Sequence, residues 1–290
     1  MNKTAVALGF FDGVHQGHEI IINRITSENL IPVVCTFDRH PLSVLGRNVP
    51  LIFTNERKKE VLLSLGVSDV IFEHTDMDFL GMSPESFVKD VLVTHLNSGF
   101  IAVGEDYTFG RGGAGNAEFL RAECAKYGIA VEIVPFLKKD DMKISSSILR
   151  ELILKGDFKT ANSLMTAQYE ISGEVIHGRK DGRKFGFPTA NVIPPEEIIL
   201  PPNGVYFTET EIDGKIYASV TNLGLAPTCG NNAKICETNI LAFDGDLYGK
   251  TIKTRFLHFK RAETKFNSTD ELIASIANDK AERERYGTDR

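Results

Sequence analysis

Residues 9–18, GFFDGVHQGH, carry the pattern from which the fold of the first half of the chain can be predicted. A short apolar run, residues 5–8, precedes this stretch, and a helix-like pattern over residues 18–27 follows it. Glycines between a strand and a helix let the backbone approach a phosphate, and the N-terminus of the helix adds partial positive charge. The stretch therefore predicts the anion-binding turn of an α/β domain.

Strand-like and helix-like segments alternate through the first half of the chain. We predict strands over residues 5–8, 31–37, 69–72, 100–103 and 130–134. We predict helices over residues 18–27, 55–65, 84–95, 116–126, 146–155 and 158–164, the third capped by Ser83. This alternation indicates a Rossmann-like parallel sheet with helices on both faces. Ligands of such sheets bind at the carboxyl ends of the strands, where residues 9–18 are predicted to lie.

The pattern changes after Tyr169, where short strands follow one another through turns. We predict these strands over residues 170–177, 204–212, 215–222, 235–243 and 251–259. Asp213 and Gly214 form a typical hairpin turn pair, and Ser268 and Glu271 have the spacing of a capping box. The second half is therefore predicted to be an antiparallel β-barrel with a terminal helix. We place the boundary so that residues 1–165 form the first domain and residues 166–290 the second.

Composition narrows the class of protein. The 290 residues carry a net charge of -6, which argues against a general nucleic-acid binder, and no apolar stretch is long enough to span a bilayer. The four cysteines, Cys35, Cys124, Cys229 and Cys236, form no CxxC pair and are expected to be buried free thiols. These features predict a cytoplasmic protein without nucleic-acid or membrane partners.

Two histidines in the first stretch are candidate functional residues. His15 and His18 lie three residues apart at the predicted helix start, where they can donate hydrogen bonds to phosphate oxygens. A metal site is less favoured because no third ligand lies nearby in the sequence. The alternative is a glycine-rich turn with two surface histidines.

A second stretch, residues 178–191 (GRKDGRKFGFPTAN), follows a predicted strand. Its glycines and basic residues suit a flap over phosphates. Thr189 and Asn191 point to the same side of an extended segment, and their oxygens are suitable ligands for Mg²⁺. Phosphoryl transfer to an alcohol also needs a carboxylate that accepts the hydroxyl proton. The alternative is a basic surface hairpin followed by a strand.

Four blocks in the first half resemble the FAD synthetase family of the HxGH nucleotidylyltransferases. Residues 9–18 resemble its G-N/F-F-D-G-V-H-x-G-H signature, residues 36–41 (TFDRHP) its TFEPHP, residues 104–110 (GEDYTFG) its GxDFxFG, and residues 145–150 (SSSILR) its SSTxIR. The resemblance implies an ATP site with Gly9, Phe10, Asp12, Gly17 and Ser146, catalytic His15, His18 and Arg150, and flavin contacts from His40, Pro41 and Asp106. One departure is Gly113, which stands where the family's FGKxRxG stretch has a basic residue.

Blocks in the second half resemble riboflavin kinases. They are GRxxGFPTAN at residues 182–191, GVY at 204–206, NLG at 222–224, DLYG at 246–249 and RAETKF at 261–266. The resemblance implies ATP contacts from Gly178 and Gly186, Mg²⁺ ligands Thr189 and Asn191, a flavin contact from Arg261, and Glu237 as the catalytic base. ETNILAF at residues 237–243 departs from the usual ExHxLDF, and Cys229 replaces a frequent aromatic residue.

Together the two resemblances imply a bifunctional enzyme of flavin cofactor biosynthesis. It would convert riboflavin and ATP to FMN and ADP, and then FMN and ATP to FAD and pyrophosphate, with Mg²⁺ as cofactor. Its expected partners are small-molecule substrates only, and it is expected to be a monomer or a weak homo-oligomer. The alternatives are a monofunctional FMN adenylyltransferase with an inactive kinase-like domain and a non-catalytic flavin-binding regulator.

Overall fold

A computed structural model describes residues 2–139, 142–178, 187–225 and 234–287. The chain divides into two compact units. The first comprises Met1–Leu149 and Leu164–Ala167, and the second comprises Arg150–Ser163 and Gln168–Arg290. The predicted domain boundary between residues 165 and 166 stays a prediction.

The first unit is built on a five-stranded parallel sheet with the order β3-β2-β1-β4-β7. Its strands are β1 (Thr4–Leu8), β2 (Ile31–Phe37), β3 (Asp69–Glu73), β4 (Ser98–Gly104) and β7 (Ala130–Val134). All five match predicted strands to within two residues at either end. Two hairpins were not predicted, one formed by β5 (Thr108–Phe109) and β6 (Gly115–Asn116), the other by β8 (Lys138–Lys139) and β9 (Met142–Lys143).

Helices connect these strands. They are α1 (Gln16–Thr26), α2 (Pro41–Val44), α3 (Asn55–Ser64), α4 (Met77–Leu80), α5 (Pro84–Ser86) and α6 (Ala117–Ala125). The longer ones, α1, α3 and α6, bury apolar residues. Residues Phe87–His95 continue α5 as a π-helix, and Ser83 caps α5 as predicted. Val88 and Leu92 of the π-helix pack with Val6 of β1 in the core. The predicted α/β architecture is confirmed.

The strand order places a ligand crevice at β1. After β3 the chain crosses to the opposite side of β1 and forms β4, so the connections that follow β1 and β4 diverge. Such a switch point is where open α/β sheets bind ligands. The loop from Gly9 to His15 follows β1, and Asp106 follows β4 by two residues.

The second unit contains a six-stranded antiparallel sheet with the order β10-β15-β12-β13-β14-β11. Its strands are β10 (Glu170–Glu174), β11 (Ala190–Val192), β12 (Gly204–Ile212), β13 (Lys215–Leu225), β14 (Lys234–Ile240) and β15 (Thr251–Arg261). The amide of Ile176 donates to the carbonyl of Asn191 at 2.8 Å, which brings the two edge strands together. The sheet is therefore a nearly closed barrel, as predicted.

Helices α7 (Ser146–Lys155), α8 (Phe158–Leu164) and α9 (Thr269–Arg285) complete the described elements. Ser268 caps α9 by accepting from the amide of Glu271, as the capping-box spacing predicts. The turn between β12 and β13 has positive φ at Asp213 (49°) and Gly214 (77°), which is the predicted hairpin turn.

The interior of the barrel is partly polar. Five buried hydroxyls form a continuous hydrogen-bonded chain through Thr210, Ser219, Thr208, Thr221 and Thr238. Because each hydroxyl both donates and accepts, this chain satisfies polar groups that would otherwise be costly to bury.

Two predictions from composition can be compared with the described residues. Cys35, Cys124 and Cys236 are free and buried, as predicted, while Cys229 lies outside the described residues. Within the described ranges, no helix is long and apolar enough to cross a bilayer.

Candidate active sites

The two predicted histidines cap α1 reciprocally. His15 is the N-cap residue, and its Nδ1 accepts from the backbone amide of His18 at 3.2 Å. Nδ1 of His18 accepts from the backbone amide of His15 at 3.3 Å. The two rings stack with their centroids 3.6 Å apart. Since both Nδ1 atoms act as acceptors, each neutral ring carries its proton on Nε2, and Nε2–H is left as the donor.

Burial keeps both rings neutral. The pKa of His15 is lowered to about 4, mainly by burial. The nearby Asp106 carboxylate opposes this shift, and the Lys143 ammonium adds to it. Burial also lowers the pKa of His18 well below its usual value, and the neighbouring His15 and Lys58 act in the same direction. The pair therefore offers two fixed neutral N–H donors at neutral pH.

The loop before α1 is held by its own backbone and by Asp12. The buried Asp12 carboxylate accepts from the amides of Ile52 (2.9 Å) and Phe53 (3.3 Å). Phe11 and Val14 have positive φ angles of 54° and 32°, which is costly for residues with a Cβ. The Asp12 carboxylate thus anchors a strained loop.

Gly9 in this loop and Gly17 in the first turn of α1 leave little room for a side chain. A Cβ at Gly9 would lie 3.1 Å from the ring of Phe11, and a Cβ at Gly17 would lie 3.1 Å from the ring of His15. The glycine at position 17 therefore lets the His15 ring stay stacked on His18.

The predicted flavin contacts lie on loops that follow β2 and β4. His40 caps α2 by accepting from the amide of Leu42, Pro41 is the first residue of that helix, and the His40 ring meets the edge of the Phe10 ring at 4.7 Å. Asp106 pairs with Lys143 at 3.2 Å.

Ser146 and Arg150 lie on α7. The Ser146 hydroxyl donates to the carbonyl of Asp12 at 2.9 Å, which ties the start of α7 to the loop after β1. Arg150 lies four residues further along the same helix, in the segment that belongs to the second unit.

The second predicted site lies in a cavity of ≈ 430 Å³ in the second unit. Thr189, Asn191, Glu237 and Arg261 all line it. A neighbouring cavity of ≈ 400 Å³ is lined by Thr189 together with Asp244, Asp246 and Tyr248 among others. Four predicted residues thus share one cavity, and Thr189 borders both.

Asn191 and Glu237 face each other across the β11–β14 pair. Asn191 is 5% exposed, and its Oδ1 has no hydrogen-bond partner among the residues that the structure describes. A buried amide oxygen in that state needs a donor or a cation, so the residues fit a bound Mg²⁺. Across the described ranges no cluster of three or more His, Cys, Asp or Glu offers another metal centre.

Gly178 and Arg261 have defined neighbours. A Cβ at Gly178 would overlap the amide of Asn191, so only glycine fits there. Nη2 of Arg261 contacts Oδ2 of the buried Asp279 at 2.7 Å, which joins β15 to α9 at the cavity. Gly186 and most of the predicted flap lie outside the described residues.

Two residues escaped the sequence reasoning. Asn239 lines the cavity, is 6% exposed, and donates from Nδ2 to the carbonyl of Pro188, which leaves Oδ1 without a partner among the described residues. It follows Glu237 by two residues, so the two-residue repeat of a strand could have found it. Lys58 is 1% exposed beside Val61 and Leu62 on the buried face of α3, and a lysine on an apolar stripe was the available signal.

Known families and proteins match the chain along nearly its whole length. The family model for FAD synthetase matches residues 1–148, and that for riboflavin kinase matches residues 165–286. A Bacillus subtilis protein named bifunctional riboflavin kinase/FMN adenylyltransferase is 37% identical over 295 residues, which cover 98% of this chain and 92% of that protein. An Escherichia coli protein of the same name is 34% identical over 281 residues, with coverages of 94% and 90%.

A solved structure is similar over the same extent. A Streptococcus pneumoniae protein described as a macrolide-efflux protein superposes with a TM-score of 0.87 at 30% identity, covering 97% of this chain and 94% of its own. With both family models and the full-length relatives in agreement, the chain belongs to the family of bifunctional riboflavin kinase/FMN adenylyltransferases.

Proposed function

We propose that this chain phosphorylates riboflavin to FMN at the second site and adenylylates FMN to FAD at the first. The observation that carries the proposal is the presence of two separate sets of candidate residues, one centred on the loop after β1 and one on the barrel cavity. Each set matches the chemistry of one half-reaction, and its family model covers the same half of the chain.

In the adenylylation step, a phosphate oxygen of FMN attacks the α-phosphate of ATP. The bond between the α-phosphorus and the bridging oxygen breaks, and pyrophosphate leaves. Nε2–H of His15 and of His18 donates to phosphate oxygens as charge develops on them, with Ser146 and Arg150 as further phosphate contacts. No protein nucleophile is required, so the residues act by positioning and charge stabilisation. Gly9, Phe10, Asp12 and Gly17 shape this ATP site, while His40, Pro41 and Asp106 border the flavin.

In the kinase step, Glu237 accepts the proton of the terminal ribityl hydroxyl while that oxygen attacks the γ-phosphate of ATP. The bond between the γ-phosphorus and the oxygen that bridges it to the β-phosphate breaks, and ADP leaves. Thr189 and Asn191 would hold Mg²⁺, which neutralises charge on the phosphates when bound. Thr189 borders both cavities, which supports a flavin in one and a nucleotide in the other. Gly178 and Gly186 would contact ATP, and Arg261 would border the flavin.

Incubating the purified protein with riboflavin, ATP and Mg²⁺ tests the main proposal. FMN and then FAD should form, and chromatography with fluorescence detection of the flavins would measure both products. A monofunctional adenylyltransferase would form FAD only from supplied FMN, and a flavin-binding regulator would turn over neither substrate. Either result would exclude the bifunctional enzyme.

Two variants assign the sites. His18→Ala should lower FAD formation from FMN by about a hundredfold, the usual cost of a lost transition-state donor, and spare FMN formation. Glu237→Gln should do the reverse. His95→Ala and Glu174→Gln, at exposed positions, are the matched controls. Loss of both reactions in either folded site variant would contradict two separate sites.

We also propose a localisation, an oligomeric state and a domain boundary. The negative net charge supports the lack of a nucleic-acid partner, and free buried thiols support a cytoplasmic location. Each proposed site draws on residues of one chain, which supports a monomer or weak homo-oligomer. A domain boundary between residues 165 and 166 is supported by the family match that begins at residue 165. Light scattering after size exclusion would test the oligomeric state.

A further inference from the structure

Lys58 is a buried cation at the ligand-binding edge of the parallel sheet. It lies on α3 and is 1% exposed, although lysine is rarely buried unless its charge is compensated. None of the sequence blocks that indicate the two activities contains it. Its neighbour on the same helix, Lys59, is exposed and reaches Asp69 at 3.8 Å.

Three oxygen acceptors surround the Lys58 ammonium. Nζ donates to the carbonyl of Phe10 at 3.2 Å, to Oγ1 of Thr36 at 3.4 Å, and to the carbonyl of Phe37 at 3.4 Å. Thr36 in turn donates from Oγ1 to the Phe10 carbonyl at 3.0 Å. An ammonium group has three protons, so all three have an acceptor.

These acceptors belong to the loop after β1 and to the end of β2, from which the loop proposed for the flavin continues. Phe10 lies in the loop after β1, which leads to His15 and His18, and Phe37 ends β2, three residues before His40. Nζ of Lys58 lies 4.2 Å from the centroid of the Phe10 ring, and that ring meets His40 edge-on. Lys58 therefore joins the loop proposed for ATP to the loop proposed for the flavin.

The charged groups around Lys58 explain why it is poised to titrate. Burial lowers its pKa to about 8, while the carboxylates of Asp12 and Asp38 oppose the shift. His18 is also near and is neutral, so it adds no compensating charge. A neutral amine has two protons instead of three and lacks the charge that strengthens these hydrogen bonds.

We propose that Lys58 is a positioning residue for FMN adenylylation, whose ammonium holds the loop after β1 and the loop after β2 in their productive arrangement. This inference rests on the proposed adenylylation site and concerns a residue that need not touch the substrate. The charged form is required, so adenylylation should decline as the pH rises and Lys58 loses its proton.

The test compares Lys58→Met with Lys59→Met in the full chain. Methionine preserves most of the length of the lysine side chain and removes its charge. Lys58→Met should lower kcat/KM for FMN adenylylation by about a hundredfold, the scale of a small misplacement of reacting groups. Riboflavin phosphorylation by the same protein should be unchanged, and Lys59→Met should change neither reaction.

The pH profile separates positioning from mere support of the fold. In the unsubstituted enzyme, kcat/KM for adenylylation should fall through a midpoint of about 8, the pKa of Lys58. Lys58→Met should lack this decline. If Lys58→Met fails to fold, as judged by its circular dichroism spectrum, the profile of the unsubstituted enzyme decides: a decline near this pH supports the proposal, and its absence overturns it.

Three other outcomes would overturn the inference. They are full adenylylation by Lys58→Met, a parallel loss of both reactions in a folded variant, and an unchanged alkaline decline in that variant. Failure of the proposed function can be distinguished from failure of the inference about Lys58, because the unsubstituted enzyme would then form no FAD from FMN at any pH.

Discussion

His15 and His18 show how local geometry selects a protonation state. Nδ1 of each ring accepts a hydrogen bond from the backbone amide of the other histidine, so the tautomer of each ring is determined before any ligand binds. Because burial keeps both rings uncharged, each Nδ1 stays an acceptor in the helix cap and each Nε2–H stays the donor for phosphate. A preorganised neutral donor avoids reorganisation during the reaction, which is the main source of electrostatic catalysis.

The lowered pKa of His15 predicts a loss of stability in acid. Its pKa is about 4 in the folded unit, against 6.5 when unfolded, so acidification protonates the unfolded chain first. Stability is fully present above the unfolded value and falls as the pH decreases from about 6.5 towards 4. Between pH 7 and pH 5, titration of this residue should lower the free energy of unfolding by about 2 kcal/mol.

Hydrogen exchange of the β1 amides measures this effect within the first unit alone. The matched variant is His15→Asn, because asparagine is a favourable N-cap and carries no titratable group. Its opening free energy should depend less steeply on pH than that of the unsubstituted protein. Equal slopes in the two proteins would show that His15 does not titrate as described.

The site residues found from the sequence are those whose local pattern is informative. The histidines lie next to glycines at a strand-to-helix turn, and Thr189 and Asn191 lie one residue apart in a segment that the sequence predicts to be extended. Lys58 could not be placed because its acceptors, Phe10 and Phe37, come from distant segments. A helical pattern can place a lysine on a buried face, but it does not reveal which distant groups accept its hydrogen bonds.

At the scale of elements, apolar periodicity predicted the major helices and strands but not their details. Residues Phe87–His95 form a π-helix. Over only nine residues, its apolar stripe is similar to that of an α-helix. Strand β11 has only three residues and follows Pro188, so it offers no recognisable alternation. The predicted start of α1 was two residues late because histidine is an unusual N-cap.

The ion pair between β15 and α9 gives a prediction about one element. Asp279 is buried and accepts from Nε and Nη2 of Arg261 at 3.2 and 2.7 Å, and both residues line the barrel cavity. Hydrogen bonds to charged groups contribute about 1.5–3 kcal/mol each, so Asp279→Asn should loosen α9 over the cavity. The KM for riboflavin should rise about tenfold, while adenylylation of FMN stays unchanged.

Steady-state kinetics of both half-reactions would check this prediction. Asp270→Asn is the matched control, since Asp270 is exposed in the first turn of the same helix. An unchanged KM for riboflavin in folded Asp279→Asn would show that the ion pair does not support the flavin cavity.

At the scale of the whole molecule, the two reactions share an intermediate but no proposed site residue. The loop after β1 belongs to one compact unit and the barrel cavity to the other. FMN leaves the kinase site with a phosphate that then becomes the nucleophile of the second step. We therefore expect the kinase site to need only riboflavin and ATP, and the adenylylation site to accept FMN whichever protein molecule formed it.

This separation predicts complementation between two variants that each lack one of the two reactions. Starting from riboflavin, His18→Ala should stop at FMN and Glu237→Gln should form almost no product. An equimolar mixture should form FAD, because FMN released by the first protein can bind the intact adenylylation site of the second. The lag before FAD appears should shorten as the concentrations of both proteins are raised. Chromatography of samples quenched at successive times would measure this lag. If the mixture makes FMN but no FAD, while Glu237→Gln still adenylylates supplied FMN, the intermediate must pass within one molecule.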